Sequence, residues 1–137
     1  MRIIVLQGKP NSRKTTTIWY VRDLILQNGG NSMRLNVFGE QVHYKDDFSE
    51  KIVFNNLKIG IFSMGDLSNT LSKVIYEYAG KGYDILVCIL SLHGSKKRAN
   101  QAINTYEAVR VDKTIENNRD LRKQVNLSDA QTIFNLI

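Results

Sequence analysis

The sequence predicts an α/β protein, a three-layer α/β/α sandwich built on a mostly parallel sheet. Three observations predict it. Short runs of β-branched and aliphatic residues alternate with stretches of helical apolar period, the pattern of successive βα units. Two of the runs, Ile3–Leu6 and Ile85–Leu90, are apolar without interruption, as strands buried on both faces are. The chain of 137 residues has the length of one domain, 1–137, and leaves no room for a separate substrate domain.

The elements follow in order. Ile3-Ile4-Val5-Leu6 is the first strand, and Gln7 to Ser12 is a loop punctuated by Gly8 and Pro10. Ile18, Val21, Leu24 and Ile25 recur at helical spacing, so a helix runs from about residue 14 to 28. Asn28-Gly29-Gly30 stops it. Met33, Leu35 and Val37 alternate with Arg34, Asn36 and Phe38 in a second strand. Residues 39–50 are polar, lack a period and read as a connector. Lys51 to Ser63 reads as two strands about Asn55-Asn56, because Asn tolerates the positive φ of a tight turn.

Leu67, Leu71, Val74, Ile75 and Tyr78 mark a second helix, closed by Gly80-Lys81-Gly82. Asp84 opens the most apolar strand, which ends at Leu90. Ser91 to Ser95 and the basic Lys96-Lys97-Arg98 lead to a helix marked by Ala99, Ala102, Ile103 and Tyr106. Ala108 to Ile115 is a last strand. Ser128 and Gln131, three apart, form a capping box that starts a terminal helix with Ala130, Ile133, Phe134 and Ile137 on its apolar face.

The charge balance narrows the partners. Nineteen basic against thirteen acidic side chains give +6, which points to phosphates, nucleotides or nucleic acid. The single cysteine, Cys88, excludes an internal disulfide and a cysteine-based zinc site. No run approaches the ~20 apolar residues of a membrane span. Ile3–Leu6 is too short for a signal peptide. A cytoplasmic protein with Cys88 as a buried thiol is expected. Right-handed crossovers would bring the loops at 8–15, 63–66 and 91–98 to one edge of the sheet, where such sheets bind ligands.

Gly8-Lys9-Pro10-Asn11-Ser12-Arg13-Lys14-Thr15 follows G-x-x-x-x-G-K-[S/T] except that Arg13 stands where the pattern has glycine. A strand precedes it and a helix follows, so its N–H groups and the helix N-terminus would face one spot. The loop resembles the phosphate loop of the P-loop NTPase superfamily, particularly small kinase-like members reading G-K-P-N-S-G-K-T-T. The resemblance is close over residues 3–17 and loose beyond. It implies a fold that binds ATP or GTP with Mg²⁺. Gly8, Asn11, Ser12 and Arg13 would then cradle phosphate, with Lys14 supplying a full charge to the β/γ-phosphates as a catalytic group. Thr15 would hold Mg²⁺, and Thr16 would bond the α-phosphate. The Arg13 side chain would either obstruct the loop or bend outward and bond phosphate itself.

The remaining candidates each carry two readings. Asp66 would hold Mg²⁺ through a water or act as base, or cap the second helix. Ser63 would assist it. Arg98 or Lys97 would close over the transferring phosphates, or belong to a solvated basic turn. Asp46 and Asp47 would reach a metal or a substrate base, or form a solvated acidic loop. Asp84 begins its strand and so lies at the wrong end. His43 and His93 are weak signals. Trp19 and Tyr20 read as core and rim residues. No aromatics interleave with the basic stretch from Arg110 to Lys123, which disfavours nucleic acid.

The expected function is a nucleotide-binding P-loop protein, an NTP hydrolase or a small-molecule kinase. An alternative is a non-enzymatic module whose Lys9, Arg13, Lys14 and 96–98 cluster bind an anionic partner. A partitioning-like ATPase acting as a dimer ranks third. Oligomeric state is left open.

Overall fold

Ile3, Ile4, Val5 and Leu6 are completely buried, and the strand they form sits inside a six-stranded sheet. A computed structural model describes residues 1–39 and 43–137. The remaining three positions, within the expected connector, lie outside the described residues. The strands are β1 (Arg2–Gly8), β2 (Asn31–Val37), β3 (Phe48–Phe54), β4 (Leu57–Phe62), β5 (Ile85–Ser91) and β6 (Glu107–Asp112). The helices are α1 (Lys14–Gln27), α2 (Ser68–Gly80), α3 (Lys97–Asn104) and α4 (Arg122–Phe134), the last preceded by a 3₁₀ turn, Arg119–Leu121.

The sheet order is β2-β3-β4-β5-β1-β6. β4, β5, β1 and β6 are parallel neighbours, while β2, β3 and β4 run antiparallel. The fold is therefore α/β with an open, mostly parallel sheet, as the alternating pattern predicts. Side chains of a strand alternate between faces, and β1 shows what each face meets. Ile4 and Leu6 join Ile18 and Trp19 of α1 and Ala130 and Ile133 of α4. Ile3 and Val5 join Leu71 and Ile75 of α2 and Ala99 and Ile103 of α3. Two helical layers thus cover the sheet.

This layering positions the site. After β1 the chain travels toward the β2 edge, and after β4 it returns over β5 toward β6. Right-handed connections in opposite directions put their helices on opposite faces. The chain leaving β1 and the chain leaving β5 therefore diverge, although Gly8 and Ser91 end their strands at the same level. Such a divergence opens a crevice at the strand C-termini.

Three expectations need correction. The 39–50 connector is partly strand, since β3 begins at Phe48. Phe48 is fully buried and stacks on Trp19 with ring centroids 3.9 Å apart. Glu50 is also buried, its carboxylate bonded by Arg22 Nε at 2.7 Å. A glutamate inside reads as surface unless its distant cation is known. The terminal helix starts at Arg122, so the Ser128–Gln131 capping box is mid-helix and unused. The last strand ends at Asp112, and Lys113 turns inward to a buried ion pair with Asp129, 2.9 Å. The Asn55-Asn56 turn is as expected, with φ of 50° and 63°. No helix among the described residues is long and apolar enough to cross a membrane.

Candidate functional site

The loop after β1 is shaped by two residues in the left-handed region, Asn11 at φ 60° and Arg13 at φ 67°. They wrap the chain so that Ser12 Oγ donates to the Lys9 carbonyl at 2.7 Å. Gly8 is required beneath this wrap. A Cβ there would lie 2.9 Å from Lys113 Cβ and 3.2 Å from Ser12 Oγ. Arg13 is the residue before α1, and its carbonyl accepts the Thr17 N–H at 3.2 Å. The N–H groups of Lys14, Thr15 and Thr16 precede that bond and have no partner within the helix. They carry the positive end of the helix dipole, about half a unit charge.

Lys14 is buried inside the loop. Its Nζ donates to Lys9 O at 2.6 Å, Gly8 O at 3.1 Å and Ser12 Oγ at 3.3 Å. Burial pushes its pKa below the ordinary lysine value, the nearby Asp66 charge opposes that, and the Lys113 charge adds to it. Arg13 is exposed, and the loop closes around Lys14 without it. Its backbone adopts a conformation that glycine would take without strain.

A cavity of about 410 Å³ opens above Lys14 and Thr15. Its opposite wall is Ser63, Gly65 and Asp66, and Ile89 and Ser91 close it along β5. Gly65 lets the walls approach, because a Cβ there would lie 2.2 Å from the Ile89 carbonyl oxygen. The Ser91 hydroxyl is buried and has no hydrogen-bond partner among the described residues. An unpaired buried hydroxyl costs about 1–3 kcal/mol, so a polar ligand in the cavity gains by meeting it.

Asp47 also lines this cavity. Thr15 Oγ1 donates to its Oδ1 at 3.2 Å, and Ser63 Oγ donates to the same oxygen at 3.0 Å. Ser63 in turn accepts the Phe48 N–H at 2.8 Å. The solvated-loop reading of Asp47 is therefore replaced by a carboxylate held between two candidate site hydroxyls. Its one sequence signal is position: it immediately precedes Phe48, whose burial starts β3. Thr15, Ser63 and Asp47 are hard oxygen donors and fit Mg²⁺, which needs one or two carboxylates plus phosphate oxygens. No group of three or more His, Cys, Asp or Glu that could hold a metal occurs among the described residues.

Of the other predicted residues, Asp66 and Thr16 also line this cavity, whereas Lys97, Arg98, Asp84 and His93 do not. Asp66 lies in the cavity wall, exposed, and its backbone carbonyl accepts from Lys96 Nζ. It does not cap α2, whose N-cap is Leu67 without a side-chain bond. Thr16 spends its hydroxyl on the Tyr44 carbonyl at 2.9 Å and keeps only its N–H for a ligand. Lys97 and Arg98 open α3, are exposed and do not line this cavity. Asp84 accepts the Lys58 N–H at 2.8 Å at the far end of the sheet, as its strand position predicts. His93 is exposed beyond β5.

No protein-family model matches the chain. No curated protein and no solved structure matches it either.

Proposed function

We propose that the crevice binds a nucleoside triphosphate, ATP or GTP, together with Mg²⁺, and that the chain acts as an NTP hydrolase or a small-molecule kinase of P-loop type. One observation carries this reading. The first three N–H groups of α1, which have no partner within the helix, the Lys14 ammonium and the Thr15–Asp47 pair all border one crevice where the helices change faces. Phosphate oxygens would accept from the N–H groups of Lys14, Thr15 and Thr16. Lys14 would exchange its carbonyl acceptors for charged oxygens, a stronger bond. Thr15 and Asp47 would hold Mg²⁺, which supplies charge neutralisation at the β- and γ-phosphates. Asp66, in the opposite wall of the crevice, would orient a water or accept a proton. Arg98 would take part only if the segment from Ser91 to Lys96 folded inward.

Titration with a fluorescent ATP analogue and Mg²⁺ tests the reading. Saturable binding is expected, weakened at least about tenfold, or 1.4 kcal/mol, by Lys14→Ala. No binding at high micromolar nucleotide overturns it. A second reading, the non-enzymatic module, draws support from Lys14 itself, whose bonds to Gly8 and Lys9 close the loop on its own carbonyls. It predicts a strongly salt-dependent anionic partner that nucleotide does not displace.

A further inference from the structure

A second and larger cavity, about 660 Å³, lies beside the crevice and shares Arg13, Thr16 and Lys45 with it. Its other walls come from residues 43–46, from Tyr20 on α1, and from the start of α4 with its 3₁₀ turn. Five cationic side chains border it: Arg13, Lys45, Arg119, Arg122 and Lys123. Asp46 is the one carboxylate among its lining residues. None of the five cations forms an ion pair among the described residues. Arg122 spends its Nε on the Glu116 carbonyl at 3.2 Å, which fixes the guanidinium and leaves its terminal nitrogens.

An aromatic column ends in the same cavity. Phe48 stacks on Trp19, and Trp19 stacks on Tyr44 with centroids 5.1 Å apart and planes 8° from parallel. The Tyr44 hydroxyl donates to Asp23, and its carbonyl accepts from Thr16, so the ring is held at both ends. Tyr44 is the outermost ring and is 36% exposed. A preset aromatic face beside unpaired cations is the arrangement that stacks a base and neutralises its phosphate. The size is that of a small-molecule pocket, within the usual ~300–1,000 Å³.

We propose that this cavity is a separate binding site for a nucleoside monophosphate, its base stacked on Tyr44 and its phosphate held by Arg119, Arg122 and Lys123. The site stands whether or not the neighbouring crevice binds a triphosphate. If both are filled, the two ligands meet at the shared border of Arg13, Thr16 and Lys45.

Trp19 is the only tryptophan and lies directly under Tyr44, so its emission reports the site. AMP titrated into the full chain is expected to change that emission saturably. Arg119→Gln with Lys123→Gln, both exposed positions, should weaken the response at least about tenfold. Tyr44→Leu should weaken it comparably. Lys14→Met should leave AMP binding within about twofold while weakening triphosphate binding at least about tenfold, which separates this proposal from the crevice reading. The proposal is overturned if AMP gives no saturable change, or if the Arg119 and Lys123 substitutions leave it intact. Loss of the response in Lys14→Met overturns it too, since AMP then sits in the phosphate loop. Tighter binding of a short oligothymidine than of AMP also overturns it, in favour of a nucleic-acid strand.

Discussion

Arg13 holds φ 67° and ψ 35°, a conformation that costs an L-residue about 1–2 kcal/mol relative to glycine. Arg13→Gly should therefore raise stability by up to about 1 kcal/mol, after the greater backbone freedom of glycine in the unfolded chain is offset. The urea midpoint at constant m-value reads this. The same change lets backbone approach phosphate, so nucleotide affinity should rise with it. Lys14 gives a pH prediction. Burial favours its neutral amine, so its folded pKa lies below the ordinary lysine value. A bound phosphate favours the ammonium and raises that pKa. Under the proposed function, nucleotide affinity should then be full below the free-state pKa and fall as pH rises through it. Affinity unchanged across the alkaline range would remove Lys14 from the phosphate contact. Asp129 receives Lys113 Nζ, the Thr114 N–H and the Thr114 hydroxyl, at 2.9, 2.9 and 2.7 Å. Lys113→Met leaves this buried carboxylate without its cation and should cost about 3 kcal/mol, read by chemical denaturation. At this scale the strand-to-helix loop from Gly8 to Arg13 was legible, because its residues are contiguous. Asp47 and Asp129 were not, because their partners lie 32 and 16 residues away.

The loop between β4 and α2 decides the shape of the crevice. Gly65 presses on β5, and the Ser91 N–H donates to the Gly65 carbonyl at 3.2 Å. Gly65→Ala puts a methyl group against rigid backbone, so the loop must retreat and carry Asp66 with it. A loss of about 1–3 kcal/mol is expected, the range for an overpacked site, with weakened nucleotide binding. If thermal stability and binding both stay unchanged, the loop does not close on β5. The order of strands and helices follows from apolar period alone, and α1, Lys14–Gln27, lies within a residue of its predicted span. The ends of β3 and α4 did not follow. Phe48 and Glu50 join a strand because Trp19 and Arg22 on α1 receive them. Asp129 serves Lys113 rather than a helix end. Local patterns locate an element, and remote partners fix its limits.

The two apolar clusters lie on opposite faces of one sheet, and alternate residues of β1 and β5 belong to each. Neither cluster can open without exposing strands that the other needs, so the molecule should unfold in one transition. Trp19 reports the α1 side. Cys88 reports the α2 side: it is fully buried, and desolvation pushes its thiol pKa up to about 12, so it is inert while folded. Trp19 emission and thiol labelling should give coincident urea midpoints, and separated midpoints would show independently stable layers. The sequence by itself determined the α/β class, the succession of most elements and the loop from Gly8 to Thr16. These depend on residue type and spacing along a few turns of chain. Only the tertiary structure decided that Asp47 sits against Thr15, that Ser91 is buried without a hydrogen-bond partner among the described residues, and that Tyr44 lines one cavity with Arg119, Arg122 and Lys123. Those groupings join residues far apart in the chain, and what brings them together is the crossing of helices over both faces of the sheet.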